Sequence, residues 1–188
     1  AFYRGDIGAA IVRYHRENGG LLSADDLADY RSAVEAPVRV AFEGLDVYTC
    51  GPWCQGPVLL QALSLLRAEE LRAFGHNSID YVHTVAEALK LAFADRERYY
   101  GDPRFIDVPL DHLLSAEYCD AQRGRITPEQ AIVHGATTVQ PGEPAPPGDT
   151  SYVAVIDKDG NAFSATPSDV SNDTPVIPGT GLCPSSRG

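Results

Sequence analysis

Methionine is absent from this chain, tryptophan occurs once, and cysteine occurs four times in 188 residues. Cys50, Cys54, Cys119 and Cys183 are too few and too scattered for a disulfide-stapled scaffold. CGPWC at 50–54 invites comparison with a redox motif, but its spacing is C-x3-C rather than C-x2-C. Pro52, followed by Gln55-Gly56-Pro57, makes it a bent loop, and no further ligands at matching spacing complete a zinc site. Basic residues are also scarce, 15 against 26 acidic ones, for a net charge of −11. That balance argues against nucleic acid or an anionic membrane as the main partner. No apolar run approaches the roughly 18 to 20 residues of a membrane span. The opening AFYRGDIGAAIVRYH has neither a basic n-region nor an uninterrupted apolar stretch, so it reads as a helix rather than a signal peptide. With no initiator methionine, further sequence is expected upstream, and the compartment stays open.

What is present fits one soluble globular domain or part of one, with 44% apolar and 22% charged residues. Helical spacing of Ile7, Ala10, Ile11 and Tyr14 predicts a helix over 4–18, closed by Asn18-Gly19-Gly20. Ser23 with Asp26 reads as an N-cap with an acidic first turn. Residues 37–50 alternate about Glu43-Gly44 as a hairpin. A single helix is predicted over 56–73, with Pro57 near its start. Ser78 caps a long helix that Gly101-Asp102-Pro103 stops. Its expected core face is Val82, Val85, Ala86, Leu89 and Phe93, and His83 with Glu87 reads as a surface or packing pair. PLDHLLSAEYCDAQRGRI reads as one further helix, and Thr127-Pro128-Glu129 as the start of a short one. Residues 134–149 are proline-rich and aperiodic, an extended linker. The period then becomes two, giving strand, turn and strand over SYVAVIDKDGNAFSAT.

Thr150 opens that strand immediately after Gly148-Asp149. One reading is an ordinary turn followed by a β-former. The other is a cleavage junction. A threonine hydroxyl needs a base within hydrogen-bond reach to act as a nucleophile. If the Asp149–Thr150 bond is cut, Thr150 gains its own α-amine, with a reference pKa of about 7.7 to 8.0. Thr166 and Ser168 lie on the return strand, opposite the start of the first, if the turn falls at 158–160. Either hydroxyl can then steer the Thr150 proton, or both can cap the turn around Pro167 and Asp169.

DTSYVAVIDKDGNAFSAT resembles the start of the small subunit of γ-glutamyltranspeptidases, with its V-x-D-x-x-G-N hairpin. ENGGLLSADDLADYRS, AEALKLAFADRERYYGDPRF and the late PGTG resemble the same family, colinearly along essentially the whole chain. The resemblance implies an α+β fold, part of the four-layer αββα sandwich of N-terminal-nucleophile hydrolases. Residues 1–149 would be the C-terminal part of a large-subunit-like region, supplying helices, and 150–188 the start of a small-subunit-like region, supplying a β-hairpin. It also implies self-cleavage at Asp149–Thr150 and an acyl-enzyme on Thr150, with Ser168 contacting the nucleophile and Thr166 matching a neighbouring family threonine. No cofactor is implied. The partners implied are a small γ-glutamyl or glutaryl-type amide and the other half of the same processed precursor.

Two departures bear on substrate. Val170 stands where the family usually has an asparagine, and CPSSRG places Arg187 where an acceptor for the substrate amine is expected. Arginine cannot accept a hydrogen bond and suits a carboxylate, which turns the reading towards cephalosporin-acylase-like hydrolysis of dicarboxylic amides. The resemblance further implies an arginine-bearing segment before residue 1, and a serine pair with a Gly-Gly oxyanion hole after residue 188. The 188 residues alone are therefore expected to be inactive. A non-catalytic binding or structural segment is the alternative from another class, and a thiol-redox protein using Cys50 and Cys54 is a third.

Overall fold

The computed structural model describes residues 1–133, 151–166 and 175–184. The chain groups into two compact units, one of Val34–Thr138 and one joining Ala1–Ala33 to Val139–Gly188. No helix among the described residues is long and apolar enough to cross a membrane.

The Val34–Thr138 unit begins with a hairpin of β1 (Val38–Phe42) and β2 (Leu45–Thr49), paired from Val38↔Thr49 to Phe42↔Leu45. Glu43 and Gly44 both have positive φ, 50° and 75°, the two-residue turn whose twist matches the strands. Helices α3 (Gly56–Leu65), α4 (Ala68–Phe74), α5 (Ile79–Tyr99), α6 (Leu110–Leu113) and α7 (Ala116–Arg123) follow. Ser78 caps α5 as expected, its hydroxyl accepting from the Tyr81 N–H at 3.1 Å.

The expected helix over 56–73 is two helices. Leu66 and Arg67 are extended between α3 and α4, with ψ of 151° and 117°. The break lets Leu65 and Leu66 both pack against Ala88, Leu91 and Cys119, while Arg67 pairs with Asp120. The helix expected over PLDHLLSAEYCDAQRGRI also divides, at Ser115. Its hydroxyl donates to the His112 carbonyl at 2.8 Å and accepts from the Tyr118 N–H at 3.2 Å, competing with continued helix. Thr127-Pro128-Glu129 starts no helix. It makes a tight turn, Thr127 bridging to Gln130, because the chain beyond it is held along α5.

The core face of α5 differs from the expectation. Glu87, Ala88, Leu91, Ala92 and Asp95 are buried, whereas Val82, Leu89 and Phe93 are 54%, 39% and 41% exposed. Small Ala88 and Ala92 let α5 lie close to Val58, Ala62 and Leu65 of α3, which its bulkier face would hold further off.

In the other unit, α1 (Asp6–Glu17) buries Gly8 and Ile11, and α2 (Ala24–Asp29) follows it. Ser23 and Asp26 form a full capping box, each side chain accepting from the other's backbone N–H, at 3.2 and 2.8 Å. The unit's strands are β3 (Val153–Ile156) and β4 (Ala162–Ala165), an antiparallel pair running from Val153↔Ala165 to Ile156↔Ala162. Linker 134–149 lies outside the described residues.

Candidate active site

The candidate site is organised by the β3–β4 hairpin. Its turn spans 158–160, where the sequence pattern puts it. The Asp157 N–H donates to the Asn161 carbonyl at 2.9 Å, and Gly160 takes a φ of 83° that favours glycine. The Asp157 carboxylate fastens the turn. Oδ1 accepts from the N–H groups of Asp159 and Asn161 at 2.9 Å each, and Oδ2 from the Asn161 side-chain amide at 2.8 Å. These bonds, the Asn161 side chain first and the backbone N–H groups with it, hold the carboxyl below its ordinary value. The strands pin a register with few side-chain contacts of their own, since Ile156 and Phe163 are 76% and 62% exposed.

Thr166 follows β4 directly and is exposed. Beside it on the hairpin, the Ser164 hydroxyl donates to the Tyr152 oxygen at 3.3 Å. Asp149, Thr150, Ser168 and Arg187 lie outside the described residues. The PGTG stretch is a tight loop in which the Ile177 N–H donates to the Leu182 carbonyl at 2.8 Å. Thr180 bridges it, its hydroxyl bonding the Ile177 carbonyl at 2.9 Å and accepting from the Leu182 N–H at 3.0 Å.

Two polar assemblies within the Val34–Thr138 unit were not anticipated from the pattern. Glu87 is 2% exposed, and one oxygen takes the Lys90 ammonium at 2.8 Å while the other accepts the Ile132 N–H at 2.7 Å. Lys90 also donates to the Ile132 carbonyl, and His83 donates through Nε2 to the Thr127 carbonyl at 2.8 Å. Residues 83, 87 and 90 thus form one stripe holding the chain after α7, so the His83/Glu87 pair packs rather than facing solvent. The second assembly centres on Asp95, which accepts from the Gln61 amide at 2.5 Å and from the Tyr118 hydroxyl at 2.9 Å. Burial, then Asp95, pushes the Tyr118 hydroxyl up to about 12. The available signal was spacing: Glu87, Leu91 and Asp95 recur at i, i+4 and i+8, on the face with Ala88 and Ala92. Among the described residues no three His, Cys, Asp or Glu side chains converge as a metal site requires.

The Glu87 arrangement carries a pH dependence. Burial pushes its carboxyl up, but the Lys90 bond, the Ile132 N–H and the charges of Lys90 and His83 outweigh that, leaving it below the ordinary 4.5. A carboxyl depressed in the folded state contributes stability above its unfolded pKa and loses it on acidification. The full-length protein is therefore expected to lose stability relative to its Glu87→Gln variant as pH falls below 4.5. Urea midpoints of the two proteins between pH 7 and pH 3 measure this. A constant difference would remove Glu87 from the account.

Residues 1–182 match the profile of the family described as Gamma-glutamyltranspeptidase. The chain is similar to the Acylase ACY 1 proenzyme of Pseudomonas sp. (strain SE83), 38% identical over 185 residues, covering 97% of this chain and 32% of that protein. It is 34% identical over 168 residues to the Glutathione hydrolase proenzyme of Escherichia coli (strain K12), covering 88% and 29% of the two chains. Among solved structures, the cephalosporin acylase from Bacillus halodurans superposes with a TM-score of 0.66 at 34% identity, over 87% of this chain and 28% of that one. The chain spans about a third of the length of these curated relatives.

Proposed function

The chain belongs to the gamma-glutamyltranspeptidase family, and from that premise we propose that it is the junction-bearing part of a self-processing N-terminal-nucleophile amidohydrolase. Residues 1–149 end a large-subunit-like region and 150–188 begin a small-subunit-like one. Together they contribute helices and a hairpin to a four-layer αββα sandwich completed by the rest of the precursor. The sparse cover on both strands of the β3–β4 hairpin supports this, because an isolated strand pair is marginal in water.

The observation that carries the reading is the hairpin register. The last pair is Val153↔Ala165, and Thr150 and Ser168 each stand three positions beyond it in sequence, which is the spacing the family resemblance requires of a nucleophile and its supporting hydroxyl. In the maturation step the Thr150 Oγ attacks the Asp149 carbonyl carbon, the peptide C–N bond breaks, and the acyl group rests on oxygen as an ester. Water hydrolyses that ester, leaving a carboxylate on Asp149 and a free amine on Thr150. In turnover that amine takes the Oγ proton as Oγ attacks the substrate amide carbonyl. The proton passes to the leaving amine, and water or an acceptor amine releases the acyl group. Ser168 holds the Oγ proton on line, and Thr166 supports the same end of the strand. Intact mass of the full-length protein tests this: two fragments meeting between 149 and 150 are expected, and a single uncut chain that still hydrolyses amides would reject it.

A specific feature favours an acylase-type substrate. Arg187, with five N–H donors and no acceptor, suits the terminal carboxylate of a dicarboxylic acyl group better than an ammonium. Similarity to proteins named as acylases supports weighing this substrate class beside the γ-glutamyl one. The processed protein is expected to hydrolyse a glutaryl anilide with kcat/KM about tenfold above its γ-glutamyl counterpart, the value of one charge-assisted hydrogen bond. Arg187→Ala is expected to erase the difference. Equal or reversed preference in the native protein would refute the carboxylate assignment.

A further inference from the structure

CGPWC takes no part in the chemistry assigned to Thr150, and its geometry points to a use of its own. Cys50 directly follows β2, and Cys54 stands two residues before the first residue of α3. The turn between them closes on itself: the Cys54 N–H donates to the Gly51 carbonyl at 3.3 Å, and its thiol to the same oxygen at 3.5 Å. The Cys54 sulfur and the Cys50 backbone both lie against Gly56. Its N–H donates to the Cys54 sulfur at 3.4 Å, and a Cβ on it would meet the Cys50 carbonyl oxygen at 2.9 Å. Only glycine lets α3 begin so close to the end of β2. Trp53, between the two cysteines, fixes the turn from outside by donating its indole N–H to Glu35 at 2.6 Å. Cys50 is exposed, while Cys54 is half-buried in a cleft of about 210 Å³ shared with Arg96 and Tyr100.

We propose that Cys50 and Cys54 form a reversible dithiol–disulfide pair that oxidation by a low-molecular-weight disulfide closes. A disulfide needs its two Cα atoms within several ångström of each other, and the closed Gly51–Cys54 turn, with Gly56 touching both the Cys54 sulfur and the Cys50 carbonyl, brings the two residues to neighbouring positions. Exposed Cys50 reacts first. Its thiolate attacks one sulfur of the small disulfide, forms a mixed disulfide and releases one thiol. Cys54 then gives up its proton, attacks the Cys50 sulfur and expels the second thiol. Two cysteine sulfurs are oxidised, one small disulfide is reduced to two thiols, and the two electrons balance. The ring so closed ties the end of β2 to the start of α3.

Cys119 supplies an internal reference. It is 2% exposed, and burial, then Asp120 and Asp95, pushes its thiol up to about 11, so it stays out of the exchange. This pair does not depend on the Thr150 reading.

The test uses the full-length protein equilibrated in glutathione buffers of rising disulfide content, alkylated with N-ethylmaleimide and digested with trypsin. The peptide from Val40 to Arg67 carries both cysteines. It is expected to lose both alkylation sites together and to become two hydrogens lighter, with full reversal by dithiothreitol. In Cys50→Ser, at an exposed position, Cys54 is expected to remain alkylatable at redox ratios that close the native pair. Two results overturn the proposal: glutathione persisting on Cys50 while Cys54 is alkylated, or both thiols alkylated at every ratio.

Discussion

Thr150→Ala in the full-length precursor is expected to leave the chain uncut at 149/150 and to lower amide hydrolysis by on the order of 10⁵-fold or more. The size follows from one atom serving twice. On the proposed assignment Oγ attacks in maturation and again in turnover, so its removal stops the cut that creates the α-amine and the acylation that the amine assists. Thr150→Ser keeps an Oγ and is expected to cut and turn over, more slowly. In the proposed mechanism Ser168→Ala removes one hydrogen bond to a group gaining charge, so a loss of roughly 10- to 100-fold is expected in both steps. Mass spectrometry follows the cut and anilide release follows turnover. If Thr150→Ala cuts at the native rate, the nucleophile lies elsewhere. If Ser168→Ala is silent in both assays, the Ser168 hydroxyl has no part in the reaction.

Asp95→Ala is expected to produce the largest loss of stability among polar substitutions in the Val34–Thr138 unit, about 3 kcal/mol. Asp95 accepts from Gln61 on α3 and Tyr118 on α7, so one carboxylate on α5 joins three helices. Alanine leaves the Gln61 amide, in a fully buried side chain, without its acceptor. Tyr118 keeps only the Gln122 amide as a bonding partner, at 2.7 Å. Asp95→Asn retains one acceptor oxygen and is expected to cost about half as much. Arg39→Ala provides the contrast: its ion pair with Asp46 joins two side chains that are both about half exposed, so water screens it and little change in stability is expected. Urea unfolding of the full-length variants measures all three. A cost below about 1 kcal/mol for Asp95→Ala would show that apolar packing alone holds these helices.

Local chemistry was legible where neighbours in sequence supply the whole structure. Ser23 with Asp26, Ser78 with Tyr81, the Glu43-Gly44 turn and the 158–160 turn each need only a few adjacent residues, and each formed as the pattern predicted. The family was legible too, because its motifs run colinearly over almost the whole chain. Helix breaks were not. Nothing local stops a helix at Leu66, where the interruption goes with Leu65 and Leu66 packing on Ala88, Leu91 and Cys119 and with Arg67 pairing with Asp120, all distant in sequence.

The sequence alone therefore determined the family, the caps and the turns, since local hydrogen bonds and colinear motifs require no partner from afar. Tertiary structure decided which face of α5 is inside. Apolar patterning favours Val82, Leu89 and Phe93, yet the buried side carries Ala88 and Ala92, whose small side chains admit α3. Glu87 and Asp95 can be buried there because Lys90, one turn along the same helix, and Ile132, Gln61 and Tyr118 from other segments meet them, and the local pattern announces only the first of these partners.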